Sequence, residues 1–222
     1  MKTPTKLAFS VLVLAAAAAT VIAVPAKPDT DSKVNYVFTP HAKAVAGICR
    51  VVQDKRLCCK TLKNVPTDDP IQLIRSMASA AETEAKNSLK FLDGIKPKYK
   101  GKEFAINSCE KKINYALDDF SDFWKLAGKD LTSMAKNYFT CKQKITSIFG
   151  YYSTCLDDMK NVDKNLKKEV ESGIGLGKNL SGEALDVYSG LNDIFKGFGI
   201  KAALNDKGTD SLEPPPISYY YY

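Results

Sequence analysis

Apolar residues recur along most of this chain at alternating three- and four-residue steps, a helical period, and no run alternates as a strand would. The clearest stripe is Ile106, Cys109, Ile113, Ala116, Phe120, Phe123 and Ala127, the seam of a helix packed in a bundle. After Gly128, with Asp130 placed to cap a new helix, it returns as Leu131, Met134, Tyr138, Cys141, Ile145, Ile148, Tyr152, Cys155 and Met159. The connection between the two is short and polar, so they form an antiparallel pair. Upstream, a helix from Pro70 to about Leu92 aligns Ile71, Ile74, Ala78, Ala81, Ala85, Leu89 and Leu92 and stops at Gly94. Its small residues imply a close neighbour. Downstream, a helical region begins near Leu166 and Val170 and resumes as Ala184, Val187, Tyr188, Leu191, Ile194 and Phe195, with Gly173, Gly175 and Gly177 expected to break it.

In front of these lies a shorter pair. A helix starts at Pro40, a favourable first-turn residue, and runs through Ala46, Cys49 and Val52. Asp54 and Lys55 break it before the piece RLCCKTL, which stops ahead of Pro66. Doubling back around residue 54 sets Cys49 against Cys58 or Cys59. The expected fold is all-α: a four-helix, up-down-up-down bundle over residues 36–204, with an N-terminal disulfide-stapled helical hairpin.

The 222 residues are 45% hydrophobic and 26% charged, enough for one sizeable globular domain. Residues 1–23 read as a signal peptide: Lys2 and Lys6, an apolar run from Leu7 to Ile22, then the small residues Ala23 and Ala26. Its removal lowers the net charge from +7 to +5, the two lysines accounting for the difference. Residues 24–35 form an extended lead-in. Residues 205–222, with SLEPPPISYYYY at their end, form a disordered tail, because three prolines exclude helix. The expected product is secreted, with no membrane attachment after cleavage.

Secretion makes six cysteines a disulfide framework. Cys141 and Cys155 are 14 residues apart on one helix, ~21 Å at 1.5 Å per residue, and cannot bond to each other. Cys109 can reach only one of them. With the turn centred near residue 129, the position opposite Cys109 is about 149, and geometry leaves the choice open. Cys58-Cys59 lacks the spacing of a metal site, and neither a metal nor a cofactor is expected. The single histidine, His41, disfavours Ser-His-Asp, Cys-His and zinc catalysis, although enzymes built on carboxylate pairs are left. GIGLGKN follows helix rather than strand and is not a phosphate loop. A charge of +5 without a recognition motif argues against nucleic acid. Asn179, in Asn179-Leu180-Ser181, is an N-glycosylation acceptor.

Four blocks, in order, carry a family resemblance: the Cys49 to Cys58 hairpin, SCEKKINYALDDF (108–120), ITSIFGYYSTCLDDM (145–159) and NLSGEALDVYSGL (179–191). The chain resembles the plant inhibitors of pectin methylesterase and acid invertase over roughly residues 36–200. The resemblance implies bridges pairing Cys49 with Cys58 and Cys109 with Cys155, leaving Cys59 and Cys141 for a third bridge or as small buried hydrophobes. It implies no enzymatic activity. The protein would instead cover a pectin methylesterase cleft, in the cell wall or apoplast, with the face of the second and third bundle helices. Asp118, Thr154 and Asp157 match positions of that interface. Lys111 and Tyr115 stand where the esterase inhibitors are often acidic, and Phe149 and Tyr151 where small residues are expected. The alternatives are inhibition of acid invertase, or a wall-associated binding protein that has kept the fold without the inhibitory face. Lys96, Lys98, Lys100 and Lys102, at every second position, offer a weak contact to anionic pectin, and the tyrosine tail an oxidative tether to the wall.

Overall fold

Seven of the eight helices among the described residues start where the sequence supplies a cap, a proline or a turn glycine. The computed structural model describes residues 39–206 and the backbone of Ser218 and Tyr219; the expected signal peptide, the lead-in and the rest of the tail lie outside the described residues. Thr39 accepts from the Ala42 amide ahead of α1 (Pro40–Cys49), and Asp54 accepts from Arg56 and Leu57 ahead of α2 (Lys55–Leu62). Asp69 caps α3 (Pro70–Ile95), whose first residue is the proline that needs no donor partner. A 3₁₀ turn over Lys96–Tyr99 and a turn at Gly101, φ +83°, lead to α4 (Glu103–Ala127), which ends at Gly128 with φ +57°. Asp130 caps α5 (Leu131–Lys136); α6 follows as Tyr138–Asp158. Asp163 caps α7 (Lys164–Ser189), and Gly190 turns the chain into α8 (Leu191–Gly197). A two-residue strand, β1 (Ile200–Lys201), pairs antiparallel with β2 (Ser218–Tyr219).

The four long helices form a ring in which α3 and α7 make one seam and α4 and α6 the opposite one. Phe120, Phe123, Tyr152 and Tyr188 fill the space between, each buried, at roughly 1.5–3 kcal/mol for a large apolar side chain. Phe123 meets Tyr188 edge-on at 5.1 Å between ring centroids. The expected all-α bundle is what forms.

Its details depart from the sequence pattern in three places. First, α7 runs unbroken through Gly173, Gly175 and Gly177. A Cβ on Gly173 would lie 2.0 Å from the Phe91 ring, and one on Gly177 would lie 2.4 Å from Tyr152 Oη and 3.0 Å from Ser88 Oγ, whereas Gly175 faces open space. Two of the glycines therefore serve close approach to neighbouring side chains. Second, the expected single helix from Leu131 to Met159 is divided at Asn137. The Asn137 carboxamide donates to Leu126 O at 2.7 Å, and the returning chain bridges the division: Asn205 N donates to Ala135 O at 2.9 Å, and Phe139 N donates to Asn205 O at 3.2 Å. Third, α1 stops at Cys49, short of Val52, while α3 passes Gly94 and reaches Ile95.

Two disulfides are present, Cys49–Cys58 and Cys109–Cys155, with Cα separations of 5.7 and 4.6 Å. The second lies off the register that a turn at residue 129 gives, because α5 belongs to the connection and shifts its centre toward residue 132. Cys59 and Cys141 carry free thiols and form no third bridge. Cys141 is buried, and burial pushes its thiol up to about 12, so it stays protonated.

The hairpin of α1 and α2 packs on α3 and α7. Its turn is held by α7 carboxylates: Gln53 N donates to Asp186 Oδ2 at 3.0 Å and Asp54 N to Glu183 Oε1 at 3.1 Å. Burial pushes the Glu183 carboxyl up, with Asp186 and Asp54 adding to it. His41 serves the structure, with Nδ1 2.6 Å from Thr67 O and Nε2 3.1 Å from Lys63 O, tying α1 to the segment after α2.

Candidate functional site: the outer face of α4 and α6

The Cys109–Cys155 bridge fixes the register of α4 against α6, and with it which solvent-facing residues meet. On α4, Phe104, Lys111, Tyr115 and Asp118 are separated by seven, four and three residues, so they share one outward stripe about 21 Å long. All four are exposed, Phe104 to 88%. Across the seam Tyr151 meets Tyr115, with ring centroids 5.8 Å apart, and Lys111 Nζ stands 5.8 Å from the Tyr115 centroid. Two positions that depart from the resembled pattern thus face each other as an aromatic pair.

Lysine–carboxylate clusters frame this pair. Toward one end, Lys144 Nζ donates to Asp119 at 2.8 Å and to Asp122 at 3.0 Å. Those hydrogen bonds hold the Lys144 ammonium above its ordinary range, and Lys144 with Lys125 holds Asp122 below the usual carboxylate range. Toward the other end, Lys112 and Ser108 donate to Asp158 Oδ2, at 2.5 and 2.8 Å, and lower its pKa likewise. Burial raises the Tyr151 phenol, with Asp119 adding to it.

The three carried-over interface residues are exposed but do not converge. Asp118 lies nine residues from the bridge along α4 and Asp157 two residues beyond it on antiparallel α6, about 16 Å apart along the axis. Asp157 pairs with Lys160 at 2.9 Å, and Thr154 donates to its own helix at Gly150 O, so of these three residues Asp118 is the carboxylate that makes no ion pair among the described residues. The pattern did not show the Lys144 clamp or the tyrosine contact. The register could have revealed both, since Lys144 and Tyr151 fall opposite Asp119 and Tyr115 once Cys109 is set against Cys155. Phe149 turns the other way, toward α7, where Lys178 Nζ lies 5.9 Å from its ring centroid.

The lysine comb is largely occupied. Lys96 binds Glu110 at 2.6 Å, Lys98 binds Glu169 at 2.5 Å, and Lys102 binds Asp163 at 2.9 Å. Tyr99 also donates to Glu169, so the comb fastens the α3–α4 connection to α4 and α7. Asn179 is exposed in mid-α7, while the Ser181 hydroxyl is buried and donates to Gly177 O. Among the described residues no helix is long and apolar enough to cross a membrane, and no three His, Cys, Asp or Glu side chains gather as a metal site.

The chain is 33% identical to Pectinesterase 5 of Arabidopsis thaliana over 68% of its own length and 26% of that protein's. It is 29% identical to a probable pectinesterase/pectinesterase inhibitor of Brassica napus over 79% of its length and 31% of that protein's. It spans about a third or less of these relatives. Among solved structures, the crystal structure of mutant form A of a pectin methylesterase inhibitor from Arabidopsis superposes with a TM-score of 0.54 at 20% identity, covering 65% of this chain and 95% of that one. The family model described as plant invertase/pectin methylesterase inhibitor matches residues 43–187, from α1 almost to the end of α7, and the chain belongs to that family.

Proposed function

We propose that this protein is a secreted inhibitor of a plant cell-wall pectin methylesterase, without catalytic activity of its own, which lays the α4–α6 face over the enzyme's substrate cleft. The supporting observation is the Tyr115–Tyr151 pair at the middle of that face, Tyr115 exposed and Tyr151 half-buried, on two helices whose register the Cys109–Cys155 bridge fixes. A rigid aromatic pair loses little side-chain entropy on docking, and aromatic anchors dominate protein interfaces. Most carboxylates of the face are neutralised internally, so binding rests on aromatic contact, on Asp118 and on Thr154 rather than on a broad acidic surface. Lys111 then selects among partners, because a cation opposed by another cation costs several kcal/mol across an interface.

Titration of the oxidised chain against a pectin methylesterase, with methanol release as the readout, tests this reading. Inhibition weakened about tenfold or more by Tyr115→Ala supports it, a truncation typical of an interface hot spot. Loss of sucrose cleavage by an acid invertase, with the esterase unaffected, reassigns the target. No effect on either enzyme at micromolar concentration leaves a wall-associated binding protein.

A further inference from the structure

The positive charge of this chain is concentrated in one element. Residues 40–63, the α1–α2 hairpin, hold six Lys and Arg (Lys43, Arg50, Lys55, Arg56, Lys60, Lys63) against one acid, Asp54, a net of +5. Residues 64–222 hold 22 basic against 22 acidic residues. The bundle is thus neutral, and the hairpin supplies nearly all the excess.

All six hairpin cations are exposed, and none makes an ion pair among the described residues. In the bundle, by contrast, nine lysines are held by carboxylates among the described residues, Lys96, Lys98, Lys102, Lys112 and Lys144 among them. Along α2 and its C-cap, Arg56, Lys60 and Lys63 are separated by four and three residues and form one outward stripe about 10 Å long, while Cys58 and Leu62 face the core. The scaffold beneath is rigid. The Cys49–Cys58 bridge, the Asp54 cap and the His41 contacts hold the hairpin together, and the Asp186 and Glu183 acceptors fix its turn on α7. Its seat on α3 and α7 is on the side of the ring opposite the α4–α6 face.

We propose that the hairpin is a polyanion-binding surface whose partner is a linear polycarboxylate polysaccharide. A row of unneutralised cations on a fixed backbone attracts an opposing charge array, and the backbone that carries it need not be ordered on binding. Each exposed cation–carboxylate contact is weak alone, so useful affinity requires carboxylates repeated along a polymer. No large hydrophobic side chain is exposed on the hairpin, which disfavours insertion into lipid, and no aromatic ring is displayed there for stacking on bases. The choice of polymer, de-esterified pectin, rests on the proposed function, since pectin methylesterase action uncovers carboxylates. Occupation of the hairpin leaves the α4–α6 face clear, so the polymer would hold the inhibitor where the esterase has acted.

Retention of the full chain on immobilised polygalacturonate, with highly methyl-esterified pectin as control, tests the inference. Retention is expected on the de-esterified polymer, with little on the esterified one, abolished at about 0.5 M salt and not competed by monomeric galacturonate. The triple variant Arg56→Glu, Lys60→Glu, Lys63→Glu should bind at least about tenfold more weakly, whereas Lys100→Glu in the comb should bind as the parent does. Equal retention on both polymers, an unaffected triple variant, or binding to phosphatidylserine vesicles in place of the polymer overturns it. The esterase assay separates the two readings: inhibition without retention removes this inference alone, and retention without inhibition removes the proposed function while polycarboxylate binding stands.

Discussion

The two seams of the bundle are built by opposite means. Between α4 and α6 the helices are joined covalently by Cys109–Cys155 and laced at the surface by Lys144 with Asp119 and Asp122, and by Lys112 with Asp158. Between α3 and α7 there is no covalent link, and small residues set the contact: Ala78, Ala81, Ala85 and Ser88 on one side, Gly177, Ser181 and Ala184 on the other, all buried. The first seam specifies position by bonds and charges, the second by closeness. The candidate interface sits on the bonded seam and the hairpin on the close-packed one, so the surface proposed to meet an enzyme has the more firmly fixed backbone.

Cutting the bond should give the largest effect. The Cys109→Ser, Cys155→Ser double variant loses roughly 3 to 4.5 kcal/mol in denaturant unfolding, as expected for a bridge closing a separation of 46 residues. A loss below about 1 kcal/mol would show that the ion pairs alone define that seam. The glycines sharpen the other side. Gly177→Ala should cost about 1–2 kcal/mol, because its methyl drives into Tyr152 and Ser88, while Gly175→Ala should stabilise by about 0.5–1 kcal/mol through helix propensity alone. Equal thermal shifts for the two would break the close-packing account.

The ion pairs come last. Lys144→Ala should cost roughly 1 kcal/mol, since Asp122 is partly exposed and screened. Acid should act in the same direction. Asp122, Asp158, Asp163 and Glu169 are held below their ordinary values when folded, so their stabilisation is present above the unfolded carboxylate range of about 4 and fades as pH falls through the lower folded values. Glu183 runs the other way: its raised carboxyl lessens stability once it ionises, and acidification relieves that. Glu183 therefore acts above about pH 4, and a thermal midpoint that rises as pH falls from neutral toward 4 would show its relief, whereas below about 4 the loss of the four should lower the midpoint.

Helices, their order and the hairpin are readable in the sequence because the apolar stripes at Ile106–Ala127 and Leu131–Met159 are long and separated by a clear stop and cap at Gly128 and Asp130. The continuity of α7 is not. A glycine read locally lowers helix propensity, and only the neighbours Phe91 and Tyr152, distant in sequence, show that Gly173 and Gly177 are required to be small. The division at Asn137 is equally hidden, because the groups that satisfy it come from residue 205. At the candidate site, Asp118, Thr154 and Asp157 follow from a resemblance, and Tyr115 and Tyr151 are exceptions to it. Their contact needs the register, which no single-helix pattern supplies.

The Asn205 bridge sets a lower limit on how far this domain can be trimmed. The family match ends at residue 187, within α7, whereas the break between α5 and α6 is closed by a backbone eighteen residues further on. A fragment ending at 187 would leave the Ala135 carbonyl and the Phe139 amide to find water, and would remove Leu191, Ile194 and Phe195 from the core. The unit that folds is therefore longer than the segment that the family model matches, and its last turns belong to the support of the third bundle helix.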